Sequence, residues 1–215
     1  MPNDSSTSTR EGHPVRVAVV GLGEKVHLAA FSLVPKARLE AVCDSRADVV
    51  HQISNELGAR GYVGVAEMIQ AGGIDLVMIL TPAATHRAII ETAAAAEIDV
   101  FCEKPIATSL RDAEEIVARC PQASIRCFYG SSYRYLPAIR TARELIKTGT
   151  LGAVQLLSEV VVSGNGLDGY SPCHFHITRN GPGGPGLSLI DHGIHWLMCS
   201  VGSLVSGLKK SSEKA

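Results

Sequence analysis

Val15-Arg16-Val17-Ala18-Val19-Val20-Gly21-Leu22-Gly23 is the stretch on which the fold turns. Its first six residues are a short, β-branched run of strand length, and such a run is apolar enough to be buried on both faces. Two glycines follow at once, where a chain leaving a strand needs a tight bend, and a helix is expected from about Val26. Strand, turn and helix then recur outward from this unit. Strands are expected at Arg38–Cys43, Asp75–Leu80, 99–102 and 123–128, and helices at Ala47–Leu57, 85–96 and 109–119. Near-continuous apolar strands joined by helices indicate a parallel sheet covered on both sides. The expected fold class is therefore α/β, a doubly wound parallel sheet of about six strands spanning residues 14–130.

Beyond this region the texture changes. A helix is expected over 135–147 and a single long strand over 152–163, with Val154, Leu156, Leu157, Val160, Val161 and Val162. A Gly- and Pro-rich loop follows over 164–185, then a helix over 187–200. One strand does not make a sheet, so residues 131–205 are expected to form an incomplete α+β second domain, followed by a polar tail at 206–215. Residues 1–13 are polar and lack the apolar core of a signal peptide, and are expected to be a disordered leader.

Composition narrows the function classes. Of the 215 residues 46% are hydrophobic and 19% charged, and the formal net charge is −1, so the electrostatic footprint of a nucleic-acid or membrane-surface binder is missing. No stretch reaches the roughly 18 apolar residues of a membrane span. A cytoplasmic protein with small-molecule partners is the expectation. Cys43, Cys102, Cys120, Cys127, Cys173 and Cys199 lie far apart and mostly in apolar segments, which suggests reduced, buried thiols.

The chemistry-bearing residues gather after the strands, where ligands bind in open α/β sheets. Gly21 and Gly23 suit the approach of backbone amides to a pyrophosphate. Asp44 closes the second strand, about twenty residues on, where a carboxylate accepts hydrogen bonds from ribose hydroxyls. The alternative is two turn glycines and a helix-capping Asp. Val26 stands where the G-x-G-x-x-G fingerprint has its third glycine, implying a shortened turn or a less closely seated pyrophosphate. Arg46 suits a 2′-phosphate whereas Asp44 repels one, so NAD and NADP both stay open as cofactors; Arg46 is equally read as a solvated residue at its helix start. Thr81-Pro82, with His86, follows the strand at 75–80, and Glu103-Lys104-Pro105 follows the next. Asp191 and His195 are four apart on one helix face, where a carboxylate orients an imidazole. His27 and His86 also admit a packing or capping role, and Lys104 a surface one. A zinc reading of Cys173, His174, His176, Asp191, His192 and His195 lacks a second Cys pair to fix it, so no metal is expected.

These residues closely resemble the Gfo/Idh/MocA oxidoreductases. The resemblance rests on Val17-Ala-Val-Val-Gly-Leu-Gly23, Asp44, Thr81-Pro82 with His86, Glu103-Lys104-Pro105, Tyr133-Arg134-Tyr135 with Pro137, Gly149-Thr-Leu-Gly152, and Gly183-Gly184 before Asp191 and His195. It implies a Rossmann domain binding NAD or NADP through Gly21, Gly23, Asp44 and Arg46, with Thr81, Pro82, His86 and Glu103 lining the nicotinamide. It further implies Lys104 as the catalytic or substrate-orienting lysine, His195 as the acid/base, Asp191 as a partner of the substrate or of that histidine, and Arg134 and His192 at the substrate. The implied reaction is hydride transfer between the nicotinamide and a secondary alcohol of a sugar, cyclitol or related polyol. An inactive nucleotide-binding sensor or regulator is the alternative. The family's second domain is a large open sheet that often forms the oligomer interface, and the residues after His195 do not supply its strands. A truncated substrate domain and self-association, as a homo-oligomer or through the 152–163 segment, are therefore expected.

Overall fold

A computed structural model describes residues 13–23, 26–150 and 152. Within them lies a six-stranded sheet in the order β3-β2-β1-β4-β5-β6, formed by β1 (Val15–Val20), β2 (Ala37–Cys43), β3 (Arg60–Tyr62), β4 (Leu76–Ile79), β5 (Asp99–Glu103) and β6 (Cys127–Gly130). The pairs β1–β2, β1–β4, β2–β3 and β4–β5 are all parallel. This order, reversing at β1, is that of the doubly wound nucleotide-binding sheet. The fold class expected from the sequence is thus the observed one.

Parallel strands need helical crossovers, and the helices are α1 (Val26–Ala30), α2 (Ala47–Leu57), α3 (Val65–Gln70), α4 (His86–Ala95), α5 (Leu110–Gln122) and α6 (Pro137–Lys147). None of the helices among the described residues is long and apolar enough to cross a membrane. One core cluster lies where α1 and α2 meet the sheet: Val19, Leu22, Leu28, Val42, Val50 and Ile53 are buried together, with Phe31, Leu39, Met78 and Leu80 packed against them, while Val77, Ile79, Ile90, Val100 and Ile116, from β4, α4, β5 and α5, are buried as well. Leu22, from the glycine turn itself, is thus a core residue that anchors the turn by burial.

The strands are stapled at their amino ends. The Arg16 guanidinium donates to both oxygens of Asp75, from Nε at 2.9 Å and from Nη2 at 2.7 Å, and the Arg16 amide adds a third bond at 2.9 Å. Arg126 repeats the device on Asp99, with its amide at 2.7 Å and Nε at 2.8 Å. The Arg16 pair is forked across both oxygens, whereas the Arg126 guanidinium bonds Asp99 Oδ2 alone and leaves Oδ1 to the amide; both fix where a strand begins.

Three elements depart from expectation. β3 and α3 are additional to the strands and helices read from the sequence, and the last strand lies later than 123–128. Helix α5 runs on through Pro121 to Gln122, Ser124 takes a left-handed conformation with φ 57°, and the Ile125 amide donates back to the Cys120 carbonyl at 3.0 Å. Residues 123–125 therefore close the helix, and their amides are already used when the strand starts.

The described chain divides into two compact units. One takes in the described residues up to Thr81, then Thr85–Cys102 and Glu114–Phe128; the other takes in Pro82–Ala84, Glu103–Ala113 and the described residues from Tyr129.

Candidate nucleotide-binding site

In the first unit, register sets the geometry. Val20 pairs with Cys43 on one side and with Ile79 on the other, and Ile79 pairs with Cys102. The chain therefore leaves β1 at Gly21, β2 at Asp44 and β4 at Leu80 along one edge. Gly21 has φ +94°, and a Cβ there would stand 2.8 Å from the Leu80 carbonyl carbon and 2.9 Å from Thr81 Cγ2. Only glycine fits, both for its backbone angle and for the closeness of the next turn. Its amide donates to the Cys43 carbonyl at 2.8 Å, as the Leu80 amide does to the Val20 carbonyl at the same distance.

Asp44 is tied into this turn. One carboxylate oxygen accepts the Leu22 amide at 2.8 Å, and the other accepts the Arg46 amide at 3.0 Å and, at 3.4 Å, Arg46 Nε. Its side chain is 11% exposed against 58% for Arg46. Partial burial alone would raise the Asp44 pKa, but the Leu22 and Arg46 amides and the Arg46 charge together outweigh it and hold the carboxyl below its ordinary value. An ionised, oriented acceptor therefore stands at the end of β2, beside the glycine turn.

Thr81 and His86 form the neighbouring corner. Thr85 Oγ1 donates to Thr81 Oγ1 at 2.7 Å. His86 is fully buried, with Nε2 2.7 Å from the Thr81 carbonyl oxygen and Nδ1 3.1 Å from Cys102 Sγ. The buried ring thus bridges the Thr81 carbonyl and Cys102. Burial pushes the Cys43 thiol up to about 11. The four described cysteines Cys43, Cys102, Cys120 and Cys127 are all unpaired by disulfides.

The second unit holds Pro82, Glu103, Lys104 and Arg134. Glu103 ends β5, and its Oε2 accepts the Lys104 amide at 2.8 Å, so the carboxylate folds back on its own chain. The Lys104–Pro105 peptide is cis. Arg134 is half-buried on the 3-10 turn Ser132–Tyr135, while Tyr133 and Tyr135 on either side are exposed. Ser131 is 1% exposed, and its Oγ, like Arg134 Nε, has no hydrogen-bond partner. Sequence reasoning passed over Ser131, because a lone serine in a glycine- and serine-rich turn carries no distinguishing signal.

Asp191, His192 and His195 lie outside the described residues, as do residues 153–163 of the expected 152–163 strand, the 164–185 loop, the 187–200 helix, the leader up to residue 12, the 206–215 tail and the histidines of the zinc reading. Among the described residues no group of three His, Cys, Asp or Glu side chains could hold a metal ion.

A parallel sheet in this order, with a glycine turn and a fixed carboxylate at the ends of its first two strands, defines the class of dinucleotide-binding α/β domains. Residues 15–131, more than half of the chain, match the model of the Gfo/Idh/MocA oxidoreductase family, NAD-binding Rossmann fold, and the chain belongs to that family. It is 32% identical over 138 residues to a D-apiose dehydrogenase from Paraburkholderia graminis, covering 63% of this chain and 37% of that protein. To a scyllo-inositol 2-dehydrogenase (NAD(+)) from Bacillus subtilis it is 33% identical over 144 residues, 65% of this chain and 42% of the relative. The crystal structure of scyllo-inositol dehydrogenase from Lactobacillus casei with bound NAD(H) and scyllo-inositol aligns with a TM-score of 0.62 at 27% identity, over 65% of this chain and 43% of that one. The chain thus spans about two-fifths of the length of these relatives.

Proposed function

We propose that the chain binds NAD(H) at the β1–β2 edge and acts as an oxidoreductase on a secondary alcohol of a sugar, cyclitol or related polyol. The observation that carries the reading is the bond from the Leu22 amide to the Asp44 carboxylate, which orients an ionised acceptor beside a turn that only glycine can make. The donor and acceptor set fits a dinucleotide. Asp44 accepts ribose hydroxyls, and its charge repels a 2′-phosphate. Arg46, already directed at Asp44, offers a 2′-phosphate its guanidinium only by giving up that contact. NAD(H) is therefore favoured over NADP(H).

When bound, the nicotinamide supplies an acceptor or donor of hydride. The rest falls to the chain's own side chains. Lys104, following β5, donates from its ammonium to the substrate oxygen on which charge changes. His195 takes the hydroxyl proton, with Asp191 orienting the ring, and Arg134 and His192 contact the substrate. The relatives named for D-apiose and scyllo-inositol support the polyol class.

Thermal denaturation of the full chain tests the cofactor. Millimolar NADH is expected to raise the melting temperature, because ligand binds only the folded state, and NADPH to raise it less. Asp44→Ala is expected to lose the NADH shift and narrow that difference. The absence of a shift with either cofactor overturns the reading. A panel of sugars and cyclitols, followed at the absorbance of reduced nicotinamide, separates turnover from binding alone.

A further inference from the structure

His86 is a fully buried titratable side chain that the chemistry above does not use. Its two ring nitrogens have different neighbours. A carbonyl oxygen only accepts, so the 2.7 Å contact with Thr81 requires the proton on Nε2. In the neutral ring Nδ1 then carries no proton and accepts the Cys102 S–H across 3.1 Å. The ring thus spans the ends of β4 and β5, holding the second residue after one strand and the penultimate residue of the other. Thr81 in turn is packed against Gly21, whose missing Cβ would stand 2.9 Å from Thr81 Cγ2 and 2.8 Å from the preceding carbonyl carbon. A displacement of the Thr81 backbone has no free space to absorb it on that side, since packed interiors transmit such shifts. Leu22, next along, carries the amide that orients Asp44.

We propose that His86, as the neutral Nε2–H tautomer, is a positioning residue for nucleotide binding, fixing the Thr81 carbonyl and through it the Gly21–Leu22 turn. The affinity part of the proposal rests on the NAD(H) reading above. The positioning part does not.

The test uses the full chain. In 15N-histidine-labelled protein at pH 7, long-range proton–nitrogen spectra are expected to show His86 as the neutral Nε2–H form; an Nδ1–H or doubly protonated ring overturns the proposal whether or not any variant folds. In His86→Leu the backbone amide resonances of Gly21, Leu22 and Thr81 are expected to move, and the Kd for NADH to rise about tenfold, the scale of one lost buried hydrogen bond. His86→Gln, whose side-chain amide donates to the same carbonyl, is expected to recover most of both effects. A merely structural role lowers the melting temperature of His86→Leu but leaves the Gly21 and Leu22 amides and the NADH affinity of the folded protein in place, and that result overturns the proposal. Failure of the wild type to bind NADH overturns the nucleotide reading instead, while the tautomer and amide shifts still decide the positioning role.

Discussion

Asp44 shows how one residue serves both fold and site, and its pH dependence has a definite sign. Its folded-state pKa lies below the ordinary carboxylate value, so on acidification the unfolded chain binds the proton first, near pH 4. The stability contributed by its charge is complete above that pH and is lost as pH falls through the depressed folded value. Asp44→Asn, which keeps an acceptor and removes the charge, is therefore expected to be less stable than wild type at pH 7 and to converge on it towards pH 3, read from urea midpoints. At Gly21 the conflict is steric. Ala there meets both a left-handed φ of +94° and backbone atoms under 3 Å away, for which roughly 2–4 kcal/mol of destabilisation is expected. Its measure is a fall in the urea midpoint, and a Gly21→Ala chain as stable as wild type would mean that the Leu80–Thr81 turn moves freely.

Helix α2 is the element most completely legible in the sequence, and its end explains why. Gly58 takes φ +65° and its amide bonds the Ser54 carbonyl, so the stop signal is a residue type with a unique backbone preference. No atom lies within 4 Å of where its Cβ would be. Gly58→Ala is thus expected to cost only the left-handed penalty, about 1 kcal/mol, and Gly58→Asn less, again from urea midpoints. A loss as large as that of Gly21→Ala would point to a clash the geometry does not contain. β3 and α3 escaped notice for the opposite reason. Arg60-Gly61-Tyr62 has no apolar alternation, and the strand is specified by pairing Ala41, Val42 and Cys43 with it, a tertiary cause that propensity does not record. The β6 boundary shifted because backbone bonds of a helix end, not side chains, decide when the strand begins.

At the scale of the molecule, the order of strands and the edge where Gly21, Asp44 and Thr81 emerge follow from βαβ connectivity, which hydrophobic runs reveal and right-handed crossovers constrain. What joins these residues was hidden, because the Leu22 amide and the Thr81 carbonyl are backbone groups without a sequence signature. The same division between scaffold and chemistry yields a prediction for the whole chain. Nucleotide affinity is assigned to Gly21, Asp44 and their neighbours, whereas Lys104 and His195 are assigned to the reacting centre, so the two functions separate by mutation. Lys104→Ala and His195→Ala are each expected to lower turnover of an accepted polyol by at least about a hundredfold, the usual scale for removing a proton-transfer or charge-stabilising group. Both are expected to retain the NADH-induced rise in melting temperature. Measured side by side on one preparation, loss of the thermal shift in Lys104→Ala would place the lysine in the binding machinery. Unchanged turnover in either variant would remove that residue from the proposed chemistry and leave nucleotide binding as the function to explain.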